Sequence, residues 1–162
     1  FLNSESQGIV RYDREKGEHL HWVVPYKPGT LTAVGYNEKG EKIAEDTVVT
    51  AGAPYKIKLS VNAETLNSAK RELCFVTAQV LDNFGNIVPT ASNLIRFLVD
   101  NDAVMEGVDN GDPEYIGSLK ADKIPALSGK CLAVVSAKTV GPVTIKAVSE
   151  GLLSDSITVE FK

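Results

Sequence analysis

The sequence predicts an all-β chain: two immunoglobulin-like β-sandwich units in series, the first truncated. Three observations carry this. Apolar and polar residues alternate at period two along most of the chain. Clusters of Gly, Pro, Asn and Asp interrupt the alternation at short intervals. After Pro54 the chain divides into about seven such segments, the number an immunoglobulin-like sandwich requires.

Taken in order, Phe1-Leu2-Asn3 reads as the middle of a strand, so the chain is expected to be cut from a longer one. His19 to Val24 alternates and reads as a strand, which Pro25 and Pro28 stop by removing ladder donors. Thr30 to Tyr36 and Glu41 to Val49 form a hairpin around Asn37-Glu38-Lys39-Gly40, where Gly40 supplies the positive φ of a tight turn. Thr50 to Pro54 reads as a linker. The expected units are therefore residues 1–52, a partial sandwich, and residues 53–162, a complete one.

In the second unit strands are expected at Tyr55 to Val61, Leu73 to Leu81, Leu94 to Val99, Ala103 to Val108, Lys130 to Ala137, Val143 to Ser149 and Ser154 to Phe161. Asp82 to Asn86 is a turn with Asx chemistry and a glycine. Ala63 to Glu72 lacks a repeating apolar face and reads as a loop with at most a helical turn. The inner faces should hold Leu31, Ala33, Ile57, Leu59, Phe97, Ile145, Ile157 and Val159, with Phe75 or Val76 and Val134 or Leu132. The paired choices stay open because a one-residue slip exchanges the two faces of a strand.

Composition narrows the function. The 162 residues are 43% hydrophobic and 23% charged, with a net charge of −4. This balance, with scattered Lys and Arg, argues against nucleic acid as a partner. No apolar run is long enough for membrane insertion as a helix. No Ser/His/Asp order, phosphate loop or dinucleotide fingerprint is present, so no catalytic or cofactor-binding residue is assigned and no cofactor is expected.

Four constellations carry chemistry, each with a simpler reading beside it. Asp109 to Tyr115 is the most polar cluster. Its oxygens suit calcium or a sugar, while Asn, Gly, Asp and Pro are also what a turn needs. Asn110, Asp112 and Tyr115 are the candidate residues for contact with a neighbouring domain or a glycan. Trp22, Tyr26, Tyr36, Tyr55 and Tyr115 could form a sugar-stacking platform, but Trp22 between alternating neighbours reads as a core residue. His19 and His21 would share a strand face; no matching acidic or thiol cluster backs a metal site, and Asp13, Glu15 and Glu18 read as a charged loop. Cys74 and Cys131 would open antiparallel neighbouring strands, roughly 20 Å apart at ~3.3 Å per residue, too far for a disulfide. Two free, buried thiols are expected.

The run from Trp22 to Tyr36 resembles a segment near the C-terminus of glycoside hydrolase family 2 enzymes, where a sandwich domain follows the catalytic barrel. Thr50 to Pro54 resembles the join to the next domain. Phe75-Val76-Thr77, Asp82, Gly85-Asn86, Val88-Pro89, Ala91, Asn93, Phe97 and Gly107 to Pro113 resemble that next domain, in family order. The likeness is to β-galactosidases of Bacteroides-type bacteria, and the final domain also resembles immunoglobulin-like modules of the invasin and intimin kind. The resemblance implies a retaining hydrolase whose two catalytic Glu residues lie on a barrel. No barrel is present, so no catalytic position is carried over. It implies the catalytic barrel as the partner, with glycan as a second partner class, and a periplasmic, secreted or cell-surface location. The chain itself is expected to brace the barrel or mediate domain contacts; a carbohydrate-binding module or an adhesin repeat is the alternative.

Overall fold

A computed structural model describes residues 1–13, 15, 17, 19–100 and 103–162. Among these residues there are strands and turns but no helix. Contacts divide the chain into Phe1–Thr50 and Ala51–Lys162.

In the first unit β1 (Thr30–Tyr36) pairs antiparallel with β2 (Lys42–Val49), from Thr30 opposite Val49 to Tyr36 opposite Lys42. Asn37 closes the hairpin by accepting from the Lys39 and Glu41 amides at 3.0 and 2.9 Å. Phe1-Leu2-Asn3 forms only a bridge, Leu2 to Leu31, and then reverses through Asn3 and Ser4, both at positive φ.

Three expectations fail in this unit. His19 to Val24 is not a strand, and Trp22 is 42% exposed rather than a core residue. Leu31 and Ala33 are exposed rather than inward. The cause is common to all three. Alternation shows which residues share a face, but burial needs a second layer, and β1–β2 is a two-stranded sheet with none opposite it within these residues. Asp13 and Glu15 are exposed, as in a charged loop; Glu18 lies outside the described residues.

The second unit is a sandwich of two sheets. One has the order β3 (Lys56–Val61), β5 (Cys74–Leu81), β9 (Lys130–Ala137), β7 (Ala103–Asp109). The other has the order β4 (Thr65–Leu66), β11 (Asp155–Phe161), β10 (Gly141–Val148), β6 (Leu94–Val99), β8 (Lys123–Pro125). The core between them holds Ile57, Leu59, Val76, Val80, Phe97, Ile124, Val135, Ile145, Val159 and Phe161. Alternation supplies it: along β10, Val143, Ile145 and Ala147 are buried while Thr144 and Lys146 are exposed.

The open choice at Phe75 or Val76 resolves to Val76, with Phe75 pointing out. At β9 both candidates were misplaced. Leu132 and Val134 share the outer face, and the inner positions are Cys131, Ala133 and Val135. Leu132 and Val134 are left half-buried on the outer face. Ala63 to Glu72 forms β4, parallel to β11, and then a turn in which the Asn67 and Glu72 side chains accept backbone amides.

One buried polar side chain organises the start of this unit. Asp82 has no exposed surface. Its carboxylate accepts from the Gly52 amide at 2.8 Å, the Phe84 amide at 2.9 Å, the Asn86 amide at 2.8 Å and Asn86 Nδ2 at 3.0 Å. The Gly52 bond first, then the Asn86 and Phe84 bonds, outweigh desolvation and bring its pKa from 3.8 to about 2. One carboxylate thus fixes the turn after β5 and fastens the linker residue Gly52 to it.

Both cysteines are free and buried. The register sets Cys131 opposite Ala78 and Cys74 opposite Val135. That offset of four residues is about 13 Å at ~3.3 Å per residue, shorter than the sequence suggested but still beyond the ~7 Å a disulfide allows. Burial pushes the thiols up, to about 11 for Cys74 and about 12 for Cys131. Thiolate is the reactive form, so at pH 8 the folded chain should resist a thiol reagent and the denatured chain should titrate two thiols. None after denaturation would contradict the β5–β9 register.

Candidate functional site

The predicted polar cluster sits where β7 ends and a long connection, residues 110–122, leads to β8. The structure brings Asn110, Asp112 and Tyr115 into this one loop and shows what each does. Asn110 Nδ2 donates to the Pro125 carbonyl at 3.0 Å, and its Oδ1 accepts from the Asp112 amide at 3.0 Å. Asp112 Oδ1 accepts from the Glu114 amide at 2.9 Å, and its carbonyl accepts from the Tyr115 amide at 3.2 Å. Asp109 accepts the Gly111 amide at 2.8 Å. These are successive Asx turns. The Tyr115 ring packs against the core. The three residues therefore hold the loop in shape, and the loop turns Pro113, Glu114, Ile116, Leu119 and Lys120 to solvent, with Ile116 fully exposed.

The loop is fastened at its far end too. The Asp122 carbonyl accepts from the Phe97 amide at 2.7 Å, and Arg96 Nε donates to Asp122 Oδ2 at 2.8 Å, lowering that carboxyl's pKa. Midway, the Leu119 carbonyl accepts from the Val108 amide at 2.8 Å. This strand-like approach needs Gly107: a Cβ there would sit 2.7 Å from the Leu119 oxygen. The β7–β9 register shifts beside it, between Met105 and Gly107.

The loop borders the outer face of the four-stranded sheet, which sequence reasoning missed. On that face Phe75 lies opposite Val134, and Thr77 opposite Leu132. Val104 lies opposite Ser136 on the other side of β9, and Ser136 Oγ donates to Glu106 Oε1 at 2.7 Å. A recess of about 240 Å³ joins Thr77 and Leu132 to Asp109, Asn110 and Lys130. A second, of about 540 Å³, runs past Leu73, Val104 and Ser136 to Arg71 and Lys138. The signal was in the sequence: Cys131-Leu132-Ala133-Val134-Val135 is an unbroken apolar run, the pattern of a strand covered on both faces.

The other candidates do not converge. His19 and His21 are exposed in chain that is not a strand. Among the described residues no three of His, Cys, Asp and Glu are grouped to hold a metal. Trp22 lines a groove of about 410 Å³ in the first unit, with Phe1, Leu20, Leu31 and Ala33.

Comparison with known proteins places this architecture. The family described as "Glycoside hydrolase family 2 C-terminal domain 5" matches residues 57–158, and one described as a domain of unknown function (DUF4982) matches residues 1–44. Over 153 residues the chain is 39% identical to the Beta-galactosidase BoGH2A of Bacteroides ovatus, covering 94% of this chain but 18% of that protein. The structure of a glycosyl hydrolase family 2 member from Bacteroides cellulosilyticus superposes with a TM-score of 0.92 at 34% identity, covering all of this chain and 21% of that one. The D00-D0 domain of Intimin, at 16% identity and a TM-score of 0.51, shares the fold alone. The chain thus spans about a fifth of the length of the relatives it matches, and it belongs to the glycoside hydrolase family 2 C-terminal domain 5 family.

Proposed function

We propose that the chain is the non-catalytic C-terminal region of a β-galactosidase-like glycoside hydrolase and braces the catalytic barrel of that enzyme. The observation that carries this is the match itself: nearly all of this chain corresponds to a small share of a β-galactosidase. In the chain itself Asn110 and Asp112 bond to neighbouring backbone groups, and the second unit is a sandwich of two sheets. A periplasmic, secreted or cell-surface location is part of the same proposal.

The test removes residues 1–162 from the longer enzyme. The half-life of thermal inactivation is expected to shorten severalfold, because a brace acts on the folded state. Hydrolysis of an aryl β-galactoside by the enzyme remaining active should change far less. An unchanged half-life would rule out the bracing role. A second reading, glycan binding, draws on Trp22, which is half-exposed along an apolar groove. Retardation of the 162-residue chain in a polysaccharide gel, abolished by Trp22→Ala, would favour it.

A further inference from the structure

The two outer faces of the second unit's sandwich are chemically different. On the five-stranded sheet, the central strands turn Thr144, Lys146, Ser156, Thr158, Glu160 and Arg96 to solvent, with Leu94 and Leu98 as scattered exceptions. That is an ordinary solvated face. On the four-stranded sheet, the two middle strands place Phe75, Leu132 and Val134 side by side, with Val104 one strand further. Adjoining apolar residues on one face, where those of the other face, Leu94 and Leu98, are separated by Arg96, mark a surface that another surface covers.

We propose that this outer face, centred on Phe75, Leu132 and Val134, docks onto a part of the longer glycosidase that lies outside these 162 residues. The proposal rests on the reading of the chain as one region of such an enzyme. Three observations select this occupant over a second copy or a free ligand. First, the relatives are about five times as long as the chain, so most of the polypeptide tethered to this unit lies elsewhere. Second, the apolar cluster is four residues, Phe75 42% exposed and Leu132, Val134 and Val104 less so, short of the ~800 Å² per partner of a standard interface between separate proteins. A tethered partner works at high effective concentration and needs less. Third, the border is cationic. Lys56, Lys58 and Lys130 share the face at one end, and Arg71 and Lys138 line the recess at the other, against Glu106, Asp109 and Asp155, the last 3.5 Å from Lys58. In a chain of net charge −4, this local excess fits a partner surface with an apolar centre and carboxylates at its border.

The sandwich supplies its own control. Phe75 and Leu98 are both 42% exposed, on opposite outer faces. Hydroxyl-radical footprinting of the full-length enzyme, with each residue normalised to its labelling in the denatured enzyme, should show Phe75 protected severalfold relative to Leu98. Equal labelling would overturn the proposal, as would stronger protection of Leu98. Protection lost on dilution would replace it with a contact between copies. Protection seen only with added oligosaccharide would replace it with a glycan site. The intact mass read in the same experiment reports separately whether these residues belong to a longer chain, and the footprint is independent of whether the region braces the barrel.

Discussion

Asp82→Asn is expected to lower the thermal midpoint of the 162-residue chain by on the order of 10 °C. The substitution keeps size and shape and changes only hydrogen-bond polarity. Asp82 faces nothing but donors: the amides of Gly52, Phe84 and Asn86 and the Asn86 side chain. An asparagine turns its own NH₂ toward one set of these, leaving buried donors without an acceptor. Asp82→Ala removes the acceptor altogether and should lower the midpoint at least as far. The effect carries a pH signature. The folded pKa of about 2 lies below the ordinary 3.8, so the folded state binds protons less readily than the unfolded chain. The carboxylate's stabilising effect is therefore fully present above the ordinary value and lost as pH falls through about 2. The gap in midpoint between wild type and Asp82→Asn, followed by differential scanning calorimetry, should narrow over that window. A gap independent of pH there would show that the carboxylate's charge is not what the fold uses.

A second pair of substitutions sets neighbours against each other. Phe97→Ala should destabilise the chain by about 3–5 kcal/mol, the range for truncating a fully buried aromatic residue. Phe97 is 1% exposed on the inner face of β6, opposite Ala147 of β10. The strand is held on both sides by β10 and β8, so the surroundings have little room to close on the cavity. Leu98→Ala, one residue on and facing outward, should stay within about 0.5 kcal/mol. Urea denaturation of both variants reads the difference. Comparable losses would mean that β6 does not alternate between core and solvent as its register requires.

Much of this fold was legible in the sequence because strands announce themselves locally. Lys56–Val61, Gly141–Val148 and Asp155–Phe161 follow directly from alternation bounded by turn residues. The strands Thr65–Leu66 and Lys123–Pro125 did not, because segments of two and three residues show no period. They exist through long-range pairing, with β11 and with β6. The polar loop was read as offering Asn110, Asp112 and Tyr115 for an outside contact. In the fold Asn110 and Asp112 bond nearby backbone groups, a use that composition cannot distinguish from a contact.

The sequence by itself determined that this chain is all-β, where most strands run, where they turn, and that its two thiols stay apart. Those properties depend on period two and on turn chemistry, which act over a few residues. Tertiary structure decided which apolar residues became interior. Along β9 both faces are apolar, so only its register in the sheet sends Cys131, Ala133 and Val135 inward and leaves Leu132 and Val134 outside. It also decided that Trp22 is half-exposed, since no second layer covers it within the first unit. The burial of Asp82 belongs to the same class: one carboxylate is surrounded only because Gly52, distant in sequence, returns to the turn that Asp82 begins. Sequence sets which residues are able to face the same way; packing sets which way that is.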